Sequence, residues 1–374
     1  MIKYRKGIIG FLLMKLSRIK FLIKSLQGFI FNYKVYRPNV DHTVYRNDNI
    51  ILRSNFLFAS KVVHQVSLPK GFSPDRTKTY IIEIEHPFAL YGHLGVETDY
   101  GVWKHNFLDR GIKDIVSAFS QARFIIICSS LGCKSALIGL IPQVEDLAEI
   151  ITIYWSAPLS IAKFKISLKE VEDKKHYNLS VFHYSGARPI SKGFFVVLEI
   201  AKRMENVLFY EIVDLSIDEI SELDVPHNLK LVSSTRRNYY SFLNLSDVVL
   251  VLNFLDGWGV YLDALSHGKP IVSLNTYDKS EVVFNNFNGF QINSQIDFYK
   301  DFLSFNFKNL DDFEKFLLDY TDNLLFEEII NCFMIYINDS RLLYVHSKNS
   351  LQLSKTRFSW NERNKALSNI YINV

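Results

Sequence analysis

The feature that most constrains this fold is a regular alternation of short apolar runs with longer helical patterns. The runs are rich in Ile, Val, Phe and Tyr and nearly continuous in hydrophobicity, as in strands covered on both faces. Candidate strands lie at Asn49–Phe58, Thr79–Ile84, Arg123–Cys128, Ile150–Tyr154, Leu179–Tyr184, Val207–Ile212, Lys230–Ser233, Val248–Asn253 and Pro270–Leu274. Candidate helices lie near residues 108–121, 131–140, 192–204, 236–245 and 259–267. This alternation predicts doubly wound α/β domains with parallel sheets.

The chain length and one break in the alternation predict two domains. A chain of 374 residues exceeds the usual size of one domain, which is about 100–200 residues. The lysine-rich stretch Ile161–Lys175 interrupts the pattern and is interpreted as the passage between domains. We therefore expect a first domain over residues 1–160 and a second over residues 176–345. Residues 346–374 are expected to pack back toward the first domain.

The basic residues are concentrated at the N-terminus. Residues 1–40 contain nine Lys or Arg and no acid, which gives this segment a net charge of +9. The net charge of the whole chain is +4, so the remaining residues carry −5 (4 − 9). This distribution argues against nucleic acid as a partner of the whole protein. The three cysteines are too few and too far apart for a disulfide framework, which favours a reducing cytoplasm.

Residues 1–31 have the pattern of a basic amphipathic helix. Apolar residues recur every three or four positions, while Lys15, Arg18, Lys20 and Lys24 interrupt any run long enough to span a bilayer. Such a helix can lie on the anionic inner face of a plasma membrane, as a peripheral anchor. It can equally pack its apolar stripe on its own domain, and both interpretations stay open here.

One strand–loop–helix unit has the composition of a phosphate site. The strand Val248–Asn253 leads into a loop with two glycines, and Val260–His267 has a helical pattern. Glycines let backbone approach a ligand closely, and a helix N-terminus offers free N–H groups to an anion. Asp256 in the loop and Asp263 in the helix can accept hydrogen bonds from sugar or ribose hydroxyls.

This unit resembles the donor-site signature of family 4 glycosyltransferases, which are retaining enzymes of GT-B fold. The matching residues are Asp256-Gly-Trp-Gly259 followed by Asp263-Ala-Leu-Ser-His-Gly-Lys-Pro270. Three further segments resemble the family in the same order along the chain: Ser185-Gly-Ala-Arg-Pro-Ile-Ser-Lys-Gly193, Asn285-Asn-Phe-Asn-Gly-Phe-Gln291 and a closing amphipathic helix over Phe358–Tyr371, with Ser359 as N-cap. The resemblance covers roughly residues 180–374. It implies a GT-B fold, with two Rossmann-like domains whose parallel sheets face a cleft.

The resemblance also implies roles for individual residues. Arg188 and Lys192 are expected to neutralise the donor diphosphate, and Asp256 and Asp263 to hold the donor sugar and the ribose. Gly257, Trp258 and Gly259 are expected to present backbone N–H groups around the sugar and phosphate. Four of these residues also have a structural interpretation: a solvated loop for Arg188 and Lys192, a helix-surface acid for Asp263 and a core side chain for Trp258. The spacing of seven between the two acids is one shorter than the family usually has.

The first domain offers candidate residues at two strand ends. His86 follows the strand Thr79–Ile84, where the family has a histidine near the donor sugar and acceptor, and His93 is the second choice. Glu83 and Glu85 alternate with isoleucines, so they should share one side of the strand and need a polar cleft or a basic partner. Ser129 follows Arg123–Cys128 and is expected to line the same cleft.

The sequence shows no Asp-x-Asp motif and no metal-ligand spacing, so we expect no metal or cofactor beyond the nucleotide-sugar substrate. The resemblance implies glycosyl transfer with retention, and we expect a glycan or lipid-linked acceptor in bacterial lipopolysaccharide, capsule or related surface polysaccharide synthesis. A catalytically weak sugar-binding or scaffold relative and a nucleotide-sugar epimerase remain as alternatives.

Overall fold

A computed structural model describes most of the chain. The described residues are 35–36, 62–65, 72–91, 107–158, 168–254, 258–297, 307, 310–320 and 323–373. Several predictions from the sequence lie outside them: the helix over residues 1–31, the strand Asn49–Phe58, His93, and Asp256 with Gly257.

The first half of the chain forms a five-stranded parallel sheet with the order β1-β2-β3-β4-β5. Its strands are β1 (Val35–Tyr36), β2 (Val62–Gln65), β3 (Thr79–Ile84), β4 (Arg123–Cys128) and β5 (Ala148–Thr152). The helices that follow β3 and β4 along the chain are α1 (Ile112–Phe119), α2 (Leu131–Leu140) and the single turn α3 (Val144–Leu147). Almost every side chain of β3 and β4 is buried, which explains their continuous apolar sequence.

The second half forms a six-stranded parallel sheet with the order β11-β10-β9-β6-β7-β8. Its strands are β6 (Leu179–Gly186), β7 (Val207–Val213), β8 (Leu229–Val232), β9 (Val248–Val251), β10 (Ile271–Asn275) and β11 (Gly289–Asn293). Helices precede, connect and follow these strands: α4 (Leu168–Lys174), α5 (Phe194–Arg203), α6 (Ile217–Ser221), α7 (Arg236–Leu245), α8 (Trp258–Ser266), α9 (Leu310–Tyr320), α10 (Asn323–Asn338), α11 (Ser340–Lys355) and α12 (Trp360–Asn373). Two parallel-sheet units are thus present, as the alternation predicts.

The sequence-based assignment needs correction at several elements. β1, β2 and β11 were not predicted, because each is short, and β2 and β11 also contain polar residues such as His64 and Gln291. The helices α9, α10 and α11 were not predicted either. The helix of the glycine-containing unit begins at Trp258, two residues earlier than the apolar pattern indicates, so Trp258 and Gly259 belong to its first turn.

The last helix returns to the first sheet. Leu367 and Tyr371 of α12 are buried with residues of β2, β3 and β4. Arg363 forms a buried ion pair with Glu83, whose other oxygen lies 2.7 Å from His64 Nε2. Glu83 therefore has the basic partner that its position predicts. Glu85 lies one residue beyond the end of β3, so it is not part of the strand.

The N-cap prediction for α12 is confirmed. The Ser359 hydroxyl accepts a hydrogen bond from Glu362 N at 3.2 Å, which satisfies one of the free amides of the first turn. Ser130 caps α2 in the same way, accepting from Cys133 N at 2.9 Å.

Candidate functional site

The second sheet has a switch point between β6 and β9. These two strands are neighbours, yet the chain leaves β6 toward β7 and leaves β9 toward β10, in opposite directions across the sheet. In open parallel sheets, ligands bind at such a point, in the crevice beyond the carboxyl ends of the strands. The described segments that border this crevice are residues 187–193 after β6 and residues 252–254 after β9.

These two loops lie side by side. Phe254 N donates a hydrogen bond to Ser191 O at 3.2 Å. Gly193 has φ +82°, and a Cβ at this position would lie 2.5 Å from Leu252 Cβ. Both the left-handed backbone and the close approach require glycine. The structure therefore brings the loop of Arg188 and Lys192 next to the segment that leads to Trp258.

Two helices begin at this crevice, and in α5 the amides of Phe194, Val196 and Val197 already donate to backbone carbonyls. α5 begins at Phe194, directly after the first loop, and α8 begins at Trp258, shortly after the second. Such N-termini attract anions through their unpaired N–H groups and the helix dipole. Gly259 is exposed, and a Cβ placed on it would meet nothing within 4 Å, so the backbone of the first turn of α8 is open to a ligand.

Asp263 is held in a cluster of tyrosines. Its carboxylate accepts hydrogen bonds from the Tyr239 hydroxyl at 3.0 Å and the Tyr240 hydroxyl at 3.4 Å. Burial raises the Asp263 pKa to about 6, although both hydrogen bonds act to lower it. The Tyr239 ring packs edge-on against Tyr184, and Lys192 Nζ lies 4.9 Å from the Tyr184 ring centroid. Lys192 and Asp263 thus belong to one connected cluster.

The three tyrosines are site residues that the sequence analysis missed. Tyr184 lies at the end of a predicted strand, and Tyr239 and Tyr240 lie on a predicted helix, but no pattern in the sequence links them to Asp263. The link becomes visible only when α7 and α8 pack on the same face of the second sheet.

The Trp258 side chain belongs to the core. It is buried, and its Nε1–H donates a hydrogen bond to Asp278 Oδ2 at 2.7 Å. Only the backbone of Trp258, at the first position of α8, remains for a ligand. Asp278, which follows β10, is a fourth residue that the sequence did not predict.

The candidate residues of the first domain lie at the carboxyl ends of β3 and β4. His86 Nε2 is 3.8 Å from Glu85 Oε1, and both side chains are partly buried. Ser129 N donates to Ile84 O at 2.9 Å, which brings Ser129 beside the end of β3. The buried Ser129 Oγ has no hydrogen-bond partner in the described part of the chain, so it is available to a bound molecule.

In the described part of the chain, no group of three or more His, Cys, Asp and Glu side chains is arranged to hold a metal ion. In the same part, no helix has the length and apolar character needed to cross a membrane.

Comparison with known proteins gives matches in structure. No protein-family model and no curated protein sequence matches the chain. HepE of Anabaena in complex with UDP-glucose is 14% identical, with a TM-score of 0.56 over 84% of this chain and 79% of its own. Sucrose-phosphate synthase of Thermosynechococcus elongatus is 9% identical, with a TM-score of 0.55 over 84% and 73%. A glycosyltransferase of Rickettsia africae is 14% identical, with a TM-score of 0.51 over 83% and 76%.

At these identities the likeness shows the fold. The chain has the GT-B fold, in which two Rossmann-like domains with parallel sheets face each other. The fold predicted from the strand–helix alternation and the resemblance is therefore confirmed.

Proposed function

We propose that this protein is a retaining glycosyltransferase that moves a sugar from a nucleotide-diphosphate donor to a glycan or lipid-linked glycan acceptor. Bacterial surface polysaccharide synthesis is the process that we propose for it. The observation that carries this proposal is the switch point of the second sheet, where the Arg188–Lys192 loop lies beside the N-terminus of α8. A diphosphate is the ligand that best fits the open N-terminus of α8 and two cationic side chains in one crevice.

The proposed reaction uses charge stabilisation rather than a protein nucleophile. The bond between the anomeric carbon and the diphosphate oxygen breaks while an acceptor hydroxyl attacks on the same face of the sugar. The hydroxyl proton passes to the departing phosphate oxygen. Arg188, Lys192 and the N–H groups of α8 would stabilise the negative charge that develops on that leaving group. Asp256 would hold the sugar hydroxyls, and the ionised Asp263 would accept hydrogen bonds from the ribose.

The first domain would supply the acceptor side. His86 and Ser129 lie at adjacent strand ends, and Ser129 offers a buried hydroxyl without a partner in the described part of the chain. Such a hydroxyl gains a hydrogen bond only when a bound molecule reaches it. We propose that Glu85, His86 and Ser129 contact the donor sugar or the acceptor.

Binding of nucleotides is the first test. HepE, which shares the fold, was solved with UDP and UDP-glucose, so these are the first probes, followed by GDP, ADP and their sugars. Arg188→Ala and Lys192→Ala should each weaken UDP binding roughly tenfold or more, because each removes a charge-assisted contact. Lys202→Ala is the matched control at the far end of α5, where Lys202 pairs with the exposed Asp224. Equal affinity in all three variants would exclude this loop as the diphosphate site.

Product analysis separates enzyme from binding protein. Mass spectrometry should detect a released nucleoside diphosphate together with a transferred or hydrolysed sugar. The absence of both with every UDP-, GDP- and ADP-sugar would refute the enzyme proposal. A sugar-binding or scaffold relative is the second candidate, because the Asp263 carboxylate is already engaged by two tyrosine hydroxyls. That candidate would bind nucleotide without turning it over, and an epimerase would return an isomerised donor.

A further inference from the structure

The segment after β10 extends two carboxylates across the boundary between the domains. Glu281 Oε2 accepts a hydrogen bond from Leu131 N at 2.8 Å, and its Oε1 accepts one from Gly132 N at 2.7 Å. These amides belong to the first turn of α2, where no carbonyl of the helix itself can reach them. The Glu281 carboxylate of the second domain thus caps the N-terminus of α2 in the first domain.

Glu281 is also tied to the chain segment that connects α11 and α12. The Tyr154 hydroxyl donates to Glu281 Oε2 at 2.8 Å, and Arg357 in turn donates to the Tyr154 hydroxyl oxygen at 2.6 Å. The Arg357 guanidinium also lies 4.5 Å from the Tyr154 ring centroid. The carboxylate therefore joins the first domain, the second domain and the returning C-terminal segment.

The second carboxylate, Asp278, is buried at the same boundary. Its Oδ2 accepts from Ser130 Oγ at 2.6 Å and from Trp258 Nε1 at 2.7 Å, while its Oδ1 lies 2.8 Å from Lys279 Nζ. Ser130 caps α2, and Trp258 begins α8. Asp278 thus links the N-terminus of α2 in the first domain to the N-terminus of α8 in the second.

The backbones of the two domains also approach each other closely at this boundary. A Cβ on Gly132 would lie 2.8 Å from Asp278 Cβ and 3.2 Å from Asp278 Cα. Any side chain at position 132 would therefore push the domains apart. Gly139 lies on the same helix, and a Cβ there would meet nothing within 4 Å.

We propose that Asp278 and Glu281 form an interdomain lock that fixes the closed arrangement of the two domains. In that arrangement the end of β4, with Ser129, is held opposite the N-terminus of α8. The two carboxylates are positioning residues, because they act through α2 and Trp258 rather than by touching substrate. The lock itself does not depend on the proposed function. Its effect on turnover does rest on the proposed function.

Gly132→Ala and Gly139→Ala form a matched pair for testing the lock. Both replace glycine by alanine in α2, and alanine favours helix in each. Only Gly132→Ala introduces an atom between the domains. We expect small-angle scattering to show a larger radius of gyration for Gly132→Ala than for wild type, and no change for Gly139→Ala. Identical scattering from the two variants, both folded by circular dichroism, would overturn the lock.

Glu281 is tested by hydrogen exchange without any ligand. Glu281→Ala should speed exchange of the Leu131 and Gly132 amides roughly tenfold or more, because their acceptor is lost. Glu281→Gln, which keeps one acceptor oxygen, should speed it less. Glu145→Ala, at an exposed acid of the same domain, is the control. Unchanged exchange in Glu281→Ala would refute the contact in solution.

Kinetics then tests the positioning role. In Gly132→Ala and Glu281→Ala, kcat should fall roughly tenfold or more, since small displacements of reacting groups are costly. UDP affinity should fall less, because the nucleotide contacts belong to the second domain. A fall in kcat without scattering or exchange changes would refute the lock. Altered scattering in a protein that binds no nucleotide would support the lock and refute only the proposed function.

Discussion

Replacing Asp263 by asparagine should stabilise the protein while weakening donor binding. The Asp263 carboxylate is half-buried between α7 and α8, and this burial raises its pKa from 3.8 to about 6. At pH 7.5 the carboxylate is ionised in the folded and in the unfolded chain. Folding must therefore remove a charge from water, and the hydrogen bonds from Tyr239 and Tyr240 offset only part of that cost.

The size of this cost follows from the two pKa values. The Asp263 pKa differs by about 2.2 units between the unfolded and the folded chain. One pKa unit corresponds to about 1.36 kcal/mol, so this difference corresponds to a free energy of about 3 kcal/mol. Because the folded pKa is the higher one, the contribution of Asp263 to stability is fully present below pH 3.8. It declines as the pH rises to about 6 and is constant above that value. The uncharged Asp263→Asn side chain escapes this cost, so the variant should gain up to about 3 kcal/mol above pH 6.

Scanning calorimetry across pH 4 to 8 measures the stability effect. Each kcal/mol should raise the midpoint of the second domain by about 2–4 °C. Asp224→Asn is the control, because the Asp224 side chain is exposed and its change should stay within about 0.5 kcal/mol. Titration calorimetry at pH 7.5 should show UDP binding roughly tenfold weaker in Asp263→Asn. A lower midpoint together with unchanged UDP affinity would mean that Asp263 is a structural residue, and the ribose assignment would be wrong.

Three further predictions test the fold and the N-terminus. Burial alone would raise the pKa of Glu83, but Arg363 and His64 lower this pKa to about 2. The ionised Glu83 therefore stabilises the folded protein above pH 4.5, and this stabilisation is lost as the pH falls toward 2. Arg363→Met should cost about 3–5 kcal/mol in urea unfolding at pH 7, and a pH profile unchanged by Glu83→Gln would contradict this assignment. Gly193→Ala should destabilise by about 1–3 kcal/mol in the same assay, because φ is +82° and the Cβ meets Leu252; an unchanged midpoint would contradict the described loop. Deletion of residues 2–31 should abolish binding to anionic liposomes in a flotation assay and leave UDP binding intact, whereas unchanged flotation would refute membrane attachment through this segment.

The regular elements were largely predictable because local patterns determine them. β3 and β4 match their predicted bounds, since each is an apolar run buried on both faces. α2 and α7 also match, because each begins at a capping residue, Ser130 and Thr235, whose hydroxyl accepts from an amide of the first turn. β2 escaped prediction because two of its four residues, His64 and Gln65, are polar and its burial depends on α12.

The contacts of the site could not be predicted in the same way. Tyr239 meets Asp263 because α7 and α8 cover the same face of the sheet, a consequence of strand order that no local pattern contains. Asp278 and Glu281 follow the predicted strand Pro270–Leu274, so their position at the cleft edge could have been inferred. Their partners in α2 could not, because these depend on how the two domains close.

Trp258 connects the proposed donor site to the lock. It is the first residue of α8, and its indole donates to Asp278, which also accepts from Ser130 of the first domain. If UDP binds the closed form more tightly by some factor, linkage requires that UDP favours closure by the same factor. If the Glu281→Ala variant is partly open, adding UDP should therefore return it to the closed arrangement. Small-angle scattering can follow this change in a titration with UDP. Loss of UDP affinity without a change in the closed population would show instead that Trp258 affects the donor site locally, and that closure and donor binding are not coupled.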